Sequence, residues 1–153
     1  MTRDQTIEMI MRHEGPHYHQ NKFTNYFTKY GISSRAHPQT DIRNLTPEHA
    51  IEIHKRDWYS HKIDNLPENI AGIIFTAGIM LGFPEAFRFL SQAVDYFPLR
   101  EELTNELESK TLSSNDLLVR ARIGSLVILW FSDHYKSEFI RSVVPRILES
   151  VSI

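Results

Sequence analysis

Residues 66–85 read LPENIAGIIFTAGIMLGFPE and contain the most apolar stretch of this 153-residue chain. The run Pro67-Glu68-Asn69 is typical of a helix start. The run Gly82-Phe83-Pro84-Glu85 predicts the end of that helix and the start of another helix that continues to about Val94. The apolar run from Ile70 to Phe83 is shorter than the roughly 20 residues needed to span a bilayer. We therefore predict a buried core helix and no membrane insertion.

Helix signals also lie on both sides of this stretch. Apolar residues at i, i+3 and i+4 predict a first helix over about residues 3–13. Thr46 is a good N-cap, with Pro47 at the first helical position, and predicts a helix to about Trp58 or Tyr59. Further helices are predicted from Pro98 to about Lys110, from Asn115 through the apolar run Ile123 to Phe131, and from about Lys136 to Ser150 with a kink or break at Pro145.

Helical periodicity is lost between Gly15 and Gln39, where aromatic and polar residues alternate. We predict an irregular loop with a short β-hairpin in this segment. Long irregular segments in compact domains are often functional, so we expect the site here. The fold prediction is a mainly α, single domain over residues 1–153, with an irregular or hairpin segment after the first helix.

Composition excludes several classes of function. The chain has 17 Lys and Arg against 19 Asp and Glu, a formal charge of −2, so it lacks the basic excess that non-specific nucleic-acid binding requires. Cysteine is absent, which excludes thiol nucleophiles, disulfides and cysteine-ligated zinc. No secretory signal peptide is visible at the amino terminus. We predict no cofactor and no bound metal, and no oligomeric state is predicted.

Glu14 stands where the first predicted helix gives way to the aromatic-rich segment. A carboxyl group half buried under aromatic rings is desolvated, which raises its pKa toward that of a usable general acid. The alternative is an ordinary solvated or capping carboxylate.

An ordered set of short motifs resembles glycoside hydrolase family 108, the lysozyme-like N-acetylmuramidases found as phage endolysins and secretion activator proteins. The resemblance covers about residues 5–95, and the helices at about 98–150 are not recognisable. Its elements are Glu14-Gly15, Thr28-Lys29-Tyr30-Gly31-Ile32-Ser33, Leu45-Thr46-Pro47-Glu48-His49-Ala50, Trp58, Leu66-Pro67, Gly82, Ala86 and Leu90-Ser91-Gln92-Ala93.

The resemblance implies a lysozyme-like fold and a peptidoglycan hydrolase that cuts the glycan strand of the bacterial cell wall. By position, Glu14 would be the general acid, and Thr28 would help to hold a water on the far side of the scissile sugar. The residues expected to line the substrate cleft or stack on sugars are Tyr18, Tyr26, Tyr30, His17 and His19. For Phe23, Phe27 and Trp58 we favour core positions.

The chain departs from the family pattern at three places. Pro16 replaces the second glycine of the usual Glu-Gly-Gly, Phe23 stands where the family has an Asp, and Asn25-Tyr26 occupies roughly the place of a Gly-Gly pair. No acid lies between Glu14 and Asp41, although glycoside hydrolysis normally uses two carboxylates. Asp41, Asp57 and Asp64 are the candidates for a second one.

Two other functions stay open, the first because of these departures and the second because of the histidines near Glu14. The first is a catalytically inactive module that binds glycan or a protein partner, as part of a phage virion or secretion apparatus. The second is a metal hydrolase with His17, His19 and Glu14 as ligands, since histidine and carboxylate suit zinc. For the muramidase, we expect synthesis in the bacterial cytoplasm and action at the wall after release through a holin or secretion pore, or as a phage component.

Overall fold

The computed structural model of the chain describes residues 1–20, 26–95, 115–134 and 144–150. Its helices are α1 (Arg3–Glu14), α2 (Pro47–Ser60), α3 (Glu68–Leu81), α4 (Phe83–Asp95) and α5 (Asn115–His134), with a short 3₁₀ helix at Ile63–Asn65. The segment 144–150 is also helical. The helix predicted from Pro98 to Lys110 and the first part of the one from Lys136 lie outside the described residues.

A small antiparallel sheet follows α1. Its strands are β1 (His19–Gln20), β2 (Phe27–Lys29) and β3 (Ile32–Ser33), in the order β1-β2-β3. Thr28 in the middle strand pairs with His19 on one side and Ser33 on the other. The structure confirms the predicted fold class, a mainly helical chain with a short β element after the first helix.

Side-chain caps fix where the first two helices begin. Thr2 accepts a hydrogen bond from the Gln5 backbone at 3.3 Å, and the Gln5 side chain accepts one from the Thr2 backbone at 2.8 Å, which is a capping box. The Thr46 hydroxyl accepts from the His49 backbone at 3.3 Å, and Pro47 occupies the first helical position. The predicted start of α2 is therefore confirmed.

Helix α3 is the centre of the main hydrophobic core. It contacts α1, α4, α5 and the 3₁₀ helix, and Ile73, Ile74, Phe75 and Ala77 are fully buried. Burial on all sides explains why its sequence is a nearly unbroken apolar run rather than a stripe. None of the helices described here is long and apolar enough to cross a bilayer.

A second, smaller hydrophobic cluster lies between the sheet and α2. Its members are Tyr30, Ile32, Ile42, Leu45, Ala50 and Ile53. Met11 of α1 packs against both clusters, while Trp58 of α2 belongs to the main core, as expected. The carboxyl end of α1 therefore lies at the boundary between the two clusters.

We predict that Ile74→Ala lowers the free energy of unfolding by about 2–5 kcal/mol, because it leaves a cavity beside fully buried neighbours. The measurement is urea-induced unfolding followed by circular dichroism. Leu148→Ala removes the same number of carbon atoms from a side chain that is 54% exposed, and its effect should stay below about 0.5 kcal/mol. Equal losses in the two variants would contradict the central position of α3.

Candidate active site

Glu14 is the last residue of α1, and Gly15 turns the chain away from the helix. Gly15 has a positive φ of 63°, and its amide donates to the Met11 carbonyl at 3.0 Å. Its own carbonyl accepts a hydrogen bond from the Tyr30 amide at 3.1 Å. The hairpin is therefore fastened directly beside Glu14 through the backbone.

The turn between β2 and β3 packs on the Glu14 side chain. Both turn residues have positive φ, 53° at Tyr30 and 78° at Gly31, as a type I′ hairpin requires. A Cβ atom at position 31 would lie 3.1 Å from Glu14 Cγ and 3.2 Å from Ile79 Cγ2. Glycine therefore permits both the turn and its close approach to the carboxylate.

A small cleft opens at Glu14. Glu14 is the only carboxylate among the described residues that line it. Its Oε1 atom accepts a hydrogen bond from Arg146 Nη1, and the side chains of Glu14 and Arg146 are 15% and 20% exposed. The described lining consists of Met9, Ile10, His13, Glu14, Thr76, Ile79, Met80 and Arg146.

The three candidates for a second carboxylate lie elsewhere in the described structure. Asp41 is exposed, and hydrogen bonds from the Asn44 side chain and backbone hold its pKa below the ordinary value. Asp57 is buried in α2, with Oδ2 3.0 Å from His37 Nε2. Asp64 is an exposed residue of the 3₁₀ helix. None of the three is among the described lining residues, and Phe23 lies outside the described part of the chain.

His54 of α2 supports the hairpin turn through a buried hydrogen bond. It is fully buried, and its Nε2 atom donates to the Tyr30 carbonyl oxygen at 2.8 Å. A carbonyl can only accept, so the proton is on Nε2, and Nδ1 is buried with no hydrogen-bond partner among the described residues. Burial lowers the pKa of His54, an effect only partly offset by the Tyr30 carbonyl and by the charge of Asp57.

Thr28, His17 and His19 lie near Glu14 in sequence but do not line its cleft among the described residues. Thr28 is partly buried in β2, and by strand register it shares a sheet face with His19 and Ser33. His17 and His19 are exposed. Within the described ranges, no group of three or more His, Asp or Glu side chains is arranged to hold a metal ion.

The predicted sugar-binding aromatic residues divide into an exposed set and a buried one. Tyr18 and Phe27, each 38% exposed, stack with ring centroids 5.2 Å apart and an interplanar angle of 8°. The core position favoured for Phe27 is therefore wrong, because its ring is exposed and stacks on Tyr18 rather than belonging to either hydrophobic cluster. Tyr26 is exposed beside the Arg35 guanidinium, whereas Tyr30 is buried in the smaller cluster.

The segment 144–150 supplies residues that the sequence motifs did not reveal. Besides the contact of Arg146 with Glu14, Glu149 pairs with Arg12 and with His13 Nε2, the latter at 2.7 Å. These hydrogen bonds, that of His13 foremost, hold the pKa of Glu149 below its ordinary value. No local pattern announces such contacts, because each joins residues more than 130 positions apart.

The protein is mainly helical, and the Glu14 carboxylate lines a cleft beside the turn of a β-hairpin. Residues 7–82 match the family model described as Glycosyl hydrolase 108, and this match supports membership of that family. The matched part runs from α1 to the end of α3 and includes Glu14, the sheet and His54. A match to a glycosyl hydrolase family suggests a glycan substrate. No curated protein matches the chain.

We predict that the stability of the wild type falls as the pH is lowered below about 6.5, the ordinary histidine pKa. A histidine whose pKa is lowered on folding binds its proton more readily in the unfolded chain, so its contribution is complete above 6.5 and is lost in acid. The slope for one such group is at most about 1.4 kcal/mol per pH unit. His54→Gln should flatten this slope in urea unfolding between pH 7.5 and pH 5.5.

The matched control is His49→Gln, at an exposed position of the same helix, which should keep the wild-type slope. An unchanged slope in His54→Gln would show that the pH dependence arises elsewhere.

Proposed function

We propose that this protein is a muramidase-type peptidoglycan hydrolase that cleaves the glycan strand of the bacterial cell wall, with Glu14 as general acid. The observation that carries the proposal is the position of Glu14. This carboxylate lines a cleft at the end of α1, beneath the Gly31 turn, within the segment that matches the glycosyl hydrolase family.

The surroundings of Glu14 suit a carboxyl group that exchanges a proton with substrate. Apolar side chains of α1 and α3 line the cleft around it, chiefly Met9, Ile10 and Ile79, which limits its solvation. A glycan strand in the cleft would receive the proton on the leaving glycosidic oxygen. Thr28, in β2, is proposed to hold the attacking water. Since no other carboxylate lines the described cleft, the proton that this water loses passes to solvent, from which Glu14 is reprotonated.

Within this proposal, the enzyme is made in the bacterial cytoplasm and acts at the wall after release through a holin or a secretion pore, or as a component of a phage particle. Tyr18, Tyr26, His17 and His19 are proposed to contact the glycan from the exposed surface of the hairpin. The buried side chain of Tyr30 supports the turn instead.

A second function, a glycan-binding module without catalysis, is favoured by two specific observations. The described cleft holds one carboxylate, which already pairs with Arg146. The sheet also exposes a ready stacking surface, the Tyr18 and Phe27 rings, with the Arg43 guanidinium carbon 5.6 Å from the Tyr18 ring centre. Flat exposed aromatic faces with a polar rim suit the apolar faces of sugar rings.

We predict that Glu14→Gln lowers the release of reducing ends from purified peptidoglycan by at least about 100-fold, because the amide cannot donate the catalytic proton. Melting temperature and circular dichroism are measured alongside to establish that the variant is folded. Glu8→Gln, at an exposed position of the same helix, is the matched control and should keep the wild-type rate. Full activity in a folded Glu14→Gln variant would overturn the assignment of the acid.

We also predict that Tyr18→Ala and Phe27→Ala each lower the affinity for insoluble peptidoglycan by about fivefold or more, since each removes one ring of the stacked pair. The affinity is measured by co-sedimentation. Tyr59→Ala is the control, because Tyr59 is 55% exposed on α2 and belongs to no aromatic stack in the described structure. Unchanged binding by both sheet variants would exclude the hairpin surface as a glycan contact. Binding without release of reducing ends by the wild type would favour the non-catalytic module.

A further inference from the structure

The candidate acid is covered by a segment that lies outside the family match. Arg146, in the helical segment 144–150, donates to Glu14 Oε1, and both side chains are largely withdrawn from solvent. Arg146 also lines the small cleft beside Glu14. Its guanidinium therefore holds the carboxylate that, in the proposed hydrolase, would have to reach the leaving oxygen of a substrate.

Two further contacts seat this segment on α1. Glu149 pairs with Arg12 and with His13, the two residues that precede Glu14. Between Arg146 and Glu149, the side chain of Ile147 is buried in the main core. The buried side chain of Ile147 therefore anchors the segment, with the ion pair of Arg146 before it and the pairs of Glu149 after it. This arrangement fixes Arg146 over the carboxylate.

This contact and the proposed chemistry compete for the same carboxyl group. A general acid must lie within hydrogen-bond reach of the oxygen that it protonates, whereas Glu14 Oε1 already accepts a hydrogen bond from Arg146, whose guanidinium has only donors. While this contact lasts, a glycosidic oxygen cannot take the place of the guanidinium beside Glu14.

We propose that the segment 144–150 is an autoinhibitory latch, in which Arg146 occupies Glu14 in the resting protein and must withdraw before a glycan can be cleaved. The proposal rests on the function proposed above. The latch differs from an ordinary surface ion pair because it joins the candidate acid to a cleft-lining residue and is held in register by the pairs of Glu149.

The first test compares the rate of reducing-end release by full-length variants. Arg146→Met, which keeps a long apolar side chain and removes the charge, should raise the rate tenfold or more. Arg146→Lys keeps a charge and should stay near the wild type. Arg88→Met is the matched control, because it breaks the surface ion pair with Glu85 on α4, and it should not change the rate.

A second test does not depend on the folding of Arg146→Met. Because the chain has no cysteine, Arg12→Cys combined with Glu149→Cys gives two unique thiols across the contact. Joining them with a short bismaleimide should lower the rate at least tenfold relative to the same variant capped with N-ethylmaleimide. Equal rates for the joined and the capped protein would overturn the latch.

The outcomes separate the latch from the function on which it rests. If the wild type cleaves, Glu14→Gln does not, and a folded Arg146→Met shows no gain, the latch alone is wrong. If the wild type is silent and Arg146→Met cleaves, both proposals are supported. If every variant is silent, the proposed hydrolase fails and the latch fails with it.

Discussion

The candidate site depends on one buried hydrogen bond, from His54 Nε2 to the Tyr30 carbonyl. A non-glycine residue with positive φ costs of order 1 kcal/mol or more, so the turn needs outside support to hold Tyr30 at 53°. His54 provides it from α2, and the Gly15 carbonyl provides it from the end of α1. Together these two hydrogen bonds hold Gly31 in contact with the side chain of Glu14, so the hairpin turn covers one side of that side chain.

Local charge placement matters more here than the net charge of −2. Residues 15–40 contain lysine, arginine and histidine but no acid, so this segment adds no negative charge to that of Glu14. The only described carboxylate of the cleft is in turn matched by Arg146. Glu14 lies alone in a partly apolar cleft, and its countercharge comes from a distant segment of the chain. The chemistry of the site therefore depends on which group pairs with the Glu14 carboxylate.

The parts of this structure that were predictable from sequence are those set by neighbouring residues. The N-cap Thr46, the helix end at Gly82 and the apolar run from Ile70 each act within a few positions, and the structure confirms them. The exposure of Phe27 was not predictable, because by register it shares a sheet face with the buried Ile32, and only tertiary packing decides how far burial extends along that face. The Arg146 contact has no local signal, since its partner is 132 positions away and nothing in the pattern pairs the two. Single-domain organisation over residues 1–153 and the catalytic roles of Glu14 and Thr28 stay predictions.

The separation of Glu14 from Arg146 has a consequence for the newly made chain. Gly31 and His54 follow Glu14 closely in sequence, so the turn and its support can assemble around the carboxylate early in synthesis. Arg146 is added 132 residues after Glu14, which at about 5–20 residues per second is an interval of about 7–26 s. Before Arg146 is added, the nascent chain therefore already contains every other described residue that lines the cleft around the acid.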